Sequence, residues 1–350
     1  MENVLYKLDT AVWEITLRCN IHCLHCGSSA DYNARKNELT TSEALDLIEQ
    51  LAEIGCGRVV LSGGEPFLRK DWATLSLRIR DLGMNVSYIS NGYVVDDDII
   101  DLLKIIEPNG ISFSLDGCCP ETHDYIRGKK GVFERCINAL YKTSKAGLYS
   151  SAVTSVHKKN INELPQILDI LIENGVCAWQ VQTATPQGRM PKELALDEDE
   201  YYSLAQFLAE HRKKYNNIIK IYEADCIGYY SPILSKDLNA INWKGCQAGL
   251  RVLGIESDGT IKGCLSIHGK DYEEGNIRNK SLKEIWSNKN GFKYNRRFSP
   301  DMLTGICKDC KWGAICRGGC SEKAMSFTGT PFESPYCLYR YEQTHNITAS

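Results

Sequence analysis

The 350-residue chain has no run approaching eighteen apolar residues, which excludes a membrane-spanning helix of ordinary length. It also lacks a charge excess: 41 basic against 44 acidic residues leave a formal net charge of -3, so no global field draws the chain to nucleic acid or to an anionic membrane. Met1 to Leu8 is too short and too polar for a signal peptide. No low-complexity tract or obviously flexible linker interrupts the sequence. With 43% hydrophobic and 24% charged residues, disorder is excluded as the dominant state. A cytoplasmic globular protein with neither a nucleic-acid nor a membrane partner is expected. The local basic clusters His157-Lys158-Lys159 and Arg212-Lys213-Lys214 read as solvated faces.

What is abundant is cysteine. Sixteen cysteines in a reducing compartment point to metal ligation rather than to a disulfide framework. They sit on an α/β frame. Strand-like segments at Val12 to Leu17, Arg58 to Ser62, Asn85 to Ser90, Gly110 to Asp116, Ser151 to Val156 and Ala178 to Thr183 alternate with amphipathic stretches. One such stretch carries Ala44, Leu47, Ile48, Leu51 and Ile54 and closes at Gly55. This repeat predicts parallel strands with right-handed crossovers, an incomplete (β/α)6 TIM-like barrel over residues 1–222. Residues 223–350 are richer in Gly and Cys, with a hairpin around Asp258-Gly259, and read as a small cysteine-rich domain stapled by its thiols.

Cys19, Cys23 and Cys26 follow directly on the first strand. Three thiolates in eight residues suit three irons of a cubane 4Fe-4S cluster and leave the fourth iron open. A zinc knuckle completed by His22 or His25 is the plainer alternative. Gly63-Gly64-Glu65-Pro66, Ser90-Asn91-Gly92 and Ser114-Leu115-Asp116-Gly117 end the second, third and fourth strands. In a parallel barrel those ends share one face with the cysteine loop, where active sites sit.

These motifs resemble the radical S-adenosylmethionine (SAM) superfamily. The resemblance implies that Cys19, Cys23 and Cys26 hold a cluster whose open iron is chelated by SAM. Reductive cleavage of SAM then gives a 5'-deoxyadenosyl radical that abstracts hydrogen. It further implies SAM-binding roles for His25, Gly63, Gly64, Glu65, Asn91, Ser114 and Arg127. His25 stands where the family usually has another aromatic residue, and one residue is inserted before Arg127, at Cys118-Cys119.

The C-terminal cysteines form an ordered array. Cys246 is followed by Gly259 and Cys264, then Cys307, Cys310, Cys316 and Cys320, then Cys337. By spacing alone the group from Cys307 to Cys320 also fits a zinc ribbon. As a whole the array is similar to the SPASM extension of radical SAM enzymes. That likeness implies two auxiliary clusters, hence three 4Fe-4S clusters in all. The outer would be held by Cys307, Cys310, Cys316 and Cys337, the inner by Cys246, Cys264 and Cys320, with either Cys226 or an open iron completing it. Cys56, Cys136 and Cys177 read as core.

The function expected from the resemblance is oxidative maturation of a peptide or protein side chain, such as thioether or carbon-carbon crosslinking of a ribosomal peptide. A low-potential donor such as flavodoxin or ferredoxin would serve it. Only eighteen residues precede Cys19, so a separate recognition protein is a further expected partner. The alternative is a tetrapyrrole or other small-molecule substrate, and a distant one is a non-catalytic zinc module. Leu265 after the second SPASM cysteine argues against formylglycine formation. Glu223 and Asp225 are candidate bases, but lone carboxylates near a domain junction read more readily as surface ion pairs, and no catalytic base is assigned. Gln187-Gly188-Arg189 resembles a segment beside the adenine or substrate channel.

Overall fold

The computed structural model describes residues 6–234, 236–238 and 243–348. Strands β1 (Thr10–Thr16), β2 (Arg58–Gly63), β3 (Asn85–Ser90), β4 (Gly110–Ser114), β5 (Ser150–Val156), β6 (Ala178–Thr183) and β7 (Lys220–Glu223) lie in chain order, each parallel to the next. The helices between them are α1 (Thr41–Glu53), α2 (Trp72–Asp81), α3 (Asp97–Ile106), α4 (Pro120–Arg127), α5 (Val132–Lys145), α6 (Leu164–Glu173) and α7 (Glu198–Tyr215). This is the expected partial barrel with one strand more. Only Ile221 of β7 is buried, too little alternation to mark a strand in sequence.

The elements form for local reasons. Thr40 caps α1 through a reciprocal pair with Glu43, and Ala44, Leu47, Ile48 and Leu51 then turn one apolar stripe onto the sheet. In β1 the side chains of Ala11, Trp13 and Ile15 are fully buried, in a strand with almost no exposed position, as a strand covered on both faces requires.

The C-terminal region extends the same sheet. The hairpin of β8 (Val252–Ile255) and β9 (Thr260–Lys262) pairs antiparallel, as the Asp258-Gly259 signal predicts, and β10 (Glu273–Asn276) follows. β8 adds in parallel to the free edge of β1, giving the order β10-β9-β8-β1-β2-β3-β4-β5-β6-β7. Short helices α8 (Leu282–Trp286), α9 (Lys293–Arg296), α10 (Gly313–Cys316), α11 (Ser321–Thr328) and α12 (Leu338–Thr344) complete it. No helix among the described residues is long and apolar enough to cross a membrane.

Two readings need correction. Cys177 is exposed rather than core, because Val176 and Ala178 turn inward on either side of it, whereas Cys56 and Cys136 are buried as expected. His157 is fully buried, unlike its exposed neighbours Lys158 and Lys159. Its backbone N–H donates to Asn160 Oδ1 (2.8 Å) and its Nδ1 accepts from Lys159 N (3.2 Å).

Candidate active site at the C-terminal strand ends

The loop after β1 carries Cys19, Cys23 and Cys26 to the end of the sheet where β2, β3 and β4 also finish. Backbone contacts hold it: Leu24 N donates to Ile126 O (2.8 Å), Arg189 N to Cys26 O (3.1 Å), and Arg189 Nε to Cys23 O (2.9 Å). Lys129 Nζ donates to Asn20 O at 2.8 Å while resting over the Tyr93 ring. The three thiols, His25, Gly63, Gly64, Asn91, Ser114, Arg127 and Arg189 all line one pocket that opens to solvent.

The two glycines serve the cysteine loop. Gly63 has φ +137°, and a Cβ there would lie 2.1 Å from Thr16 O; a Cβ on Gly64 would lie 2.3 Å from Arg18 O. With hydrogen at those positions, Gly64 N donates to Thr16 O (2.8 Å) and Glu65 N to Arg18 O (2.9 Å). Glu65 is the one expected site residue outside the cavity wall. Its buried carboxylate accepts from Ser90 Oγ (2.9 Å) and Asn91 N (2.9 Å), so it braces the β3 loop from behind. Burial pushes its pKa up to about 7 despite those bonds.

Asn91 Nδ2 donates to Asn20 Oδ1 at 2.8 Å and faces Cys19 Sγ at 3.7 Å. Arg127 Nη1 faces Cys23 Sγ at 3.8 Å, and Nη2 lies 2.5 Å from Asp116 Oδ2, which also sits 3.0 Å from His25 Nε2. Asp116 is fully buried. Burial opposes its ionisation, but the Arg127 guanidinium and then His25 hold its carboxyl well below the usual carboxylate range. Two buried nitrogens in this wall, the Arg127 Nε donor and the ring atom His25 Nδ1, have no hydrogen-bond partner within the protein.

The C-terminal cysteines gather in two groups. Cys307, Cys310, Cys316 and Cys337 line a single small cavity with Tyr229, Trp312 and Ser334, whose backbone N–H donates to Cys307 Sγ at 3.4 Å. Cys246 and Cys264 pack with Ala248, Ile267 and Tyr294, and Cys320 caps α11 within electrostatic reach of Cys246 and Cys226. Cys226 is buried, its thiol accepting from Thr183 N at 3.3 Å. Between the two groups lies fully buried Lys323, whose ammonium donates to Cys226 O (2.8 Å) and Tyr336 O (3.3 Å) and rests over the Tyr201 ring. Glu322, beside it, accepts from Thr185 Oγ1 (2.6 Å) and Ser326 Oγ (2.9 Å) and so joins the β6 loop to α11.

A family model described as the radical SAM superfamily matches residues 13–171, and one described as the SPASM iron-sulfur cluster-binding domain matches residues 246–311. The AdoMet-dependent heme synthase of Methanosarcina barkeri is 31% identical over 344 residues, covering 94% of this chain and 95% of that protein. The chain belongs to the radical SAM superfamily. The PqqA peptide cyclase of Rhizobium meliloti is 28% identical, covering 93% of this chain and 85% of that protein. The crystal structure of Streptococcus suis SuiB bound to S-adenosylmethionine superposes with a TM-score of 0.77 over 95% of this chain and 77% of that one, at 17% identity, a likeness of fold.

This radical SAM/SPASM enzyme therefore uses SAM and iron-sulfur clusters, and its residues fit both. The three thiols face a cavity whose wall holds the two unpartnered nitrogens. Burial pushes Cys19 up to about 12, so metal must displace its proton.

Sequence reasoning passed over four residues here. Asp116 carried a signal, an acidic residue just past a parallel strand end. Arg189 lay in a segment already noted, with no role given to it. Glu322 and Lys323 carried none, since only the contacts of α11 with the loops after β6 and β7 bring them to the cysteines. Asp225 is exposed, its backbone carbonyl accepting from Tyr229 OH at 2.5 Å, and Glu223 pairs with Arg212 at 3.3 Å.

Proposed function

We propose that this enzyme carries out a net oxidation, removing hydrogen from a C–H bond of its substrate at the N-terminal site and a second electron through clusters held by its C-terminal cysteines. The observation that carries this reading is the gathering of Cys307, Cys310, Cys316 and Cys337 around one cavity, with Cys246, Cys264 and Cys320 as a second group beside it. In this reading there are three 4Fe-4S clusters, and Cys226 is the candidate fourth donor to the inner one. An inner-cluster spectrum unchanged in Cys226→Ala assigns that cluster an open iron instead.

The cluster held by Cys19, Cys23 and Cys26 supplies, with SAM, a 5'-deoxyadenosyl radical. The protein's own part is placement. Arg189 and Lys129 pin the cysteine loop, and Glu65 steadies Ser90 and Asn91. Asp116 aims Arg127 and His25, leaving Arg127 Nε and His25 Nδ1 to bind the polar end of SAM. Gly63, Gly64 and Ser114 form the wall along which the rest of it lies. A low-potential flavodoxin or ferredoxin is the donor this chemistry asks for.

Two substrate classes have comparable support. A peptide or protein side chain is favoured by the likeness to the PqqA peptide cyclase and by the fold shared with SuiB, which has also been crystallised with its precursor peptide SuiA. A tetrapyrrole is favoured by the higher identity, end to end, with the heme synthase. The reduced holoenzyme with SAM should be offered iron-coproporphyrin in one arm and, in the other, any short Cys-, Lys- or Trp-containing peptides that adjacent reading frames encode. A mass change in the porphyrin selects the small-molecule reading. A peptide lighter by a pair of hydrogens selects the crosslinking one, and 5'-deoxyadenosine formed without either product in any arm contradicts both.

A further inference from the structure

A second group of ligand atoms lies outside the cavity and is used by nothing described so far. After β4 the chain bends at Cys118 and Cys119 before Pro120 opens α4. The bend turns two consecutive thiols, which in an extended strand would point to opposite faces, toward the same neighbour. That neighbour is Glu163, at the start of α6 in the next strand-helix connection. Its carboxylate is held in place by Cys118 N (2.8 Å, to Oε2) and by Thr122 Oγ1 (2.5 Å, to Oε1). The two Sγ atoms and a Glu163 oxygen all lie within 4.8 Å of one another, and all three residues are half-buried. Among the described residues this is the sole trio of Cys, His, Asp or Glu side chains drawn so close.

We propose that Cys118, Cys119 and Glu163 bind a thiophilic divalent cation of the zinc class, separate from the iron-sulfur sites. Tetrahedral zinc with bonds of about 2.3 Å to sulfur and about 2.1 Å to oxygen brings ligand atoms to about 3.6 Å of each other. The trio therefore needs a contraction of at most about 1 Å, the scale of small side-chain rotations. Partial exposure leaves room for water as the fourth ligand, and two thiolates with one carboxylate match the borderline-soft character of zinc rather than that of magnesium or calcium. The ligands come from two successive connections of the barrel, so the ion would clamp the β4 loop to α6. Asp116, the residue that aims Arg127 and His25, lies two positions before Cys118. The site thus steadies the cavity wall from outside without touching it.

The test uses the full-length holoenzyme with its iron-sulfur sites filled anaerobically, then equilibrated with zinc alone and desalted. Metal analysis should give one zinc per chain, and zinc X-ray absorption should show two sulfur neighbours at about 2.3 Å with oxygen at about 2.1 Å. The Cys118→Ser/Cys119→Ser double variant should lose at least tenfold in bound zinc, with iron per chain unchanged. Glu163→Gln, which leaves both thiols in place, should weaken zinc about tenfold or more. Zinc below a tenth of an equivalent in the wild type would overturn the proposal. So would zinc undiminished in the two variants, since the metal would then be occupying vacant cysteines elsewhere.

Discussion

Glu65 shows how a residue recognised from a motif can work differently from the expectation it raised. Its carboxylate faces Ser90 and the Asn91 backbone rather than the cavity, and burial raises its pKa from 4.5 to about 7. The folded state therefore binds a proton more tightly than the unfolded one, and the stability this gives is complete below about pH 4.5 and lost as pH rises through 7. The difference is worth roughly 3 kcal/mol. Thermal denaturation from pH 4.5 to 8 should show wild-type stability falling relative to Glu65→Gln, and parallel profiles would contradict the assignment. Cys19, Cys23 and Cys26 stand out as a motif because the three lie within eight residues of one another. Asp116, Arg189 and Lys323 do not, because their meaning lies in partners tens to hundreds of positions away. His157 and Cys177 were misread for the same reason: in short runs of mixed polarity, burial is decided by which way the neighbours turn.

The elements were read more completely than their contacts. Six strands, the α1 stripe and the Asp258-Gly259 hairpin follow from periodicity and turn chemistry, which are local. The attachment of β8 to β1 and the short strand β7 are long-range pairings that leave little trace in sequence. The loop after β1 depends on such a pairing, with Gly63 and Gly64 packed directly on its carbonyl groups. Gly64→Ala places a methyl group 2.3 Å from Arg18 O, so the loop must move. The variant should lose about 1–3 kcal/mol of stability and retain less iron at the N-terminal site, while the C-terminal clusters stay filled. Iron analysis together with spectra of the auxiliary clusters checks this, and a full iron complement with wild-type stability would contradict it.

Across the whole molecule, one sheet joins the N-terminal barrel to the cysteine-rich region, so the two are coupled through buried strands as well as through side-chain contacts. Leu253 on β8 is fully buried, and Leu253→Ala should cost about 2–5 kcal/mol in the unfolding of the chain as a unit. Arg278 makes a two-pronged pair with Glu43 across the same junction (2.6 and 2.9 Å), but both side chains are a third exposed. Arg278→Ala should cost under about 1 kcal/mol. Denaturant titration of both variants separates the two contributions, and a larger loss from Arg278→Ala would reverse the ranking.

The cavity beside Cys19, Cys23 and Cys26 bears the weight of the functional account, and electron paramagnetic resonance of the dithionite-reduced holoenzyme reads it directly. Adding SAM should perturb one cluster signal and release 5'-deoxyadenosine. In Cys23→Ala that signal and the nucleoside should both vanish while the auxiliary signals persist. A spectrum indifferent to SAM, or undiminished 5'-deoxyadenosine from Cys23→Ala, would contradict the account.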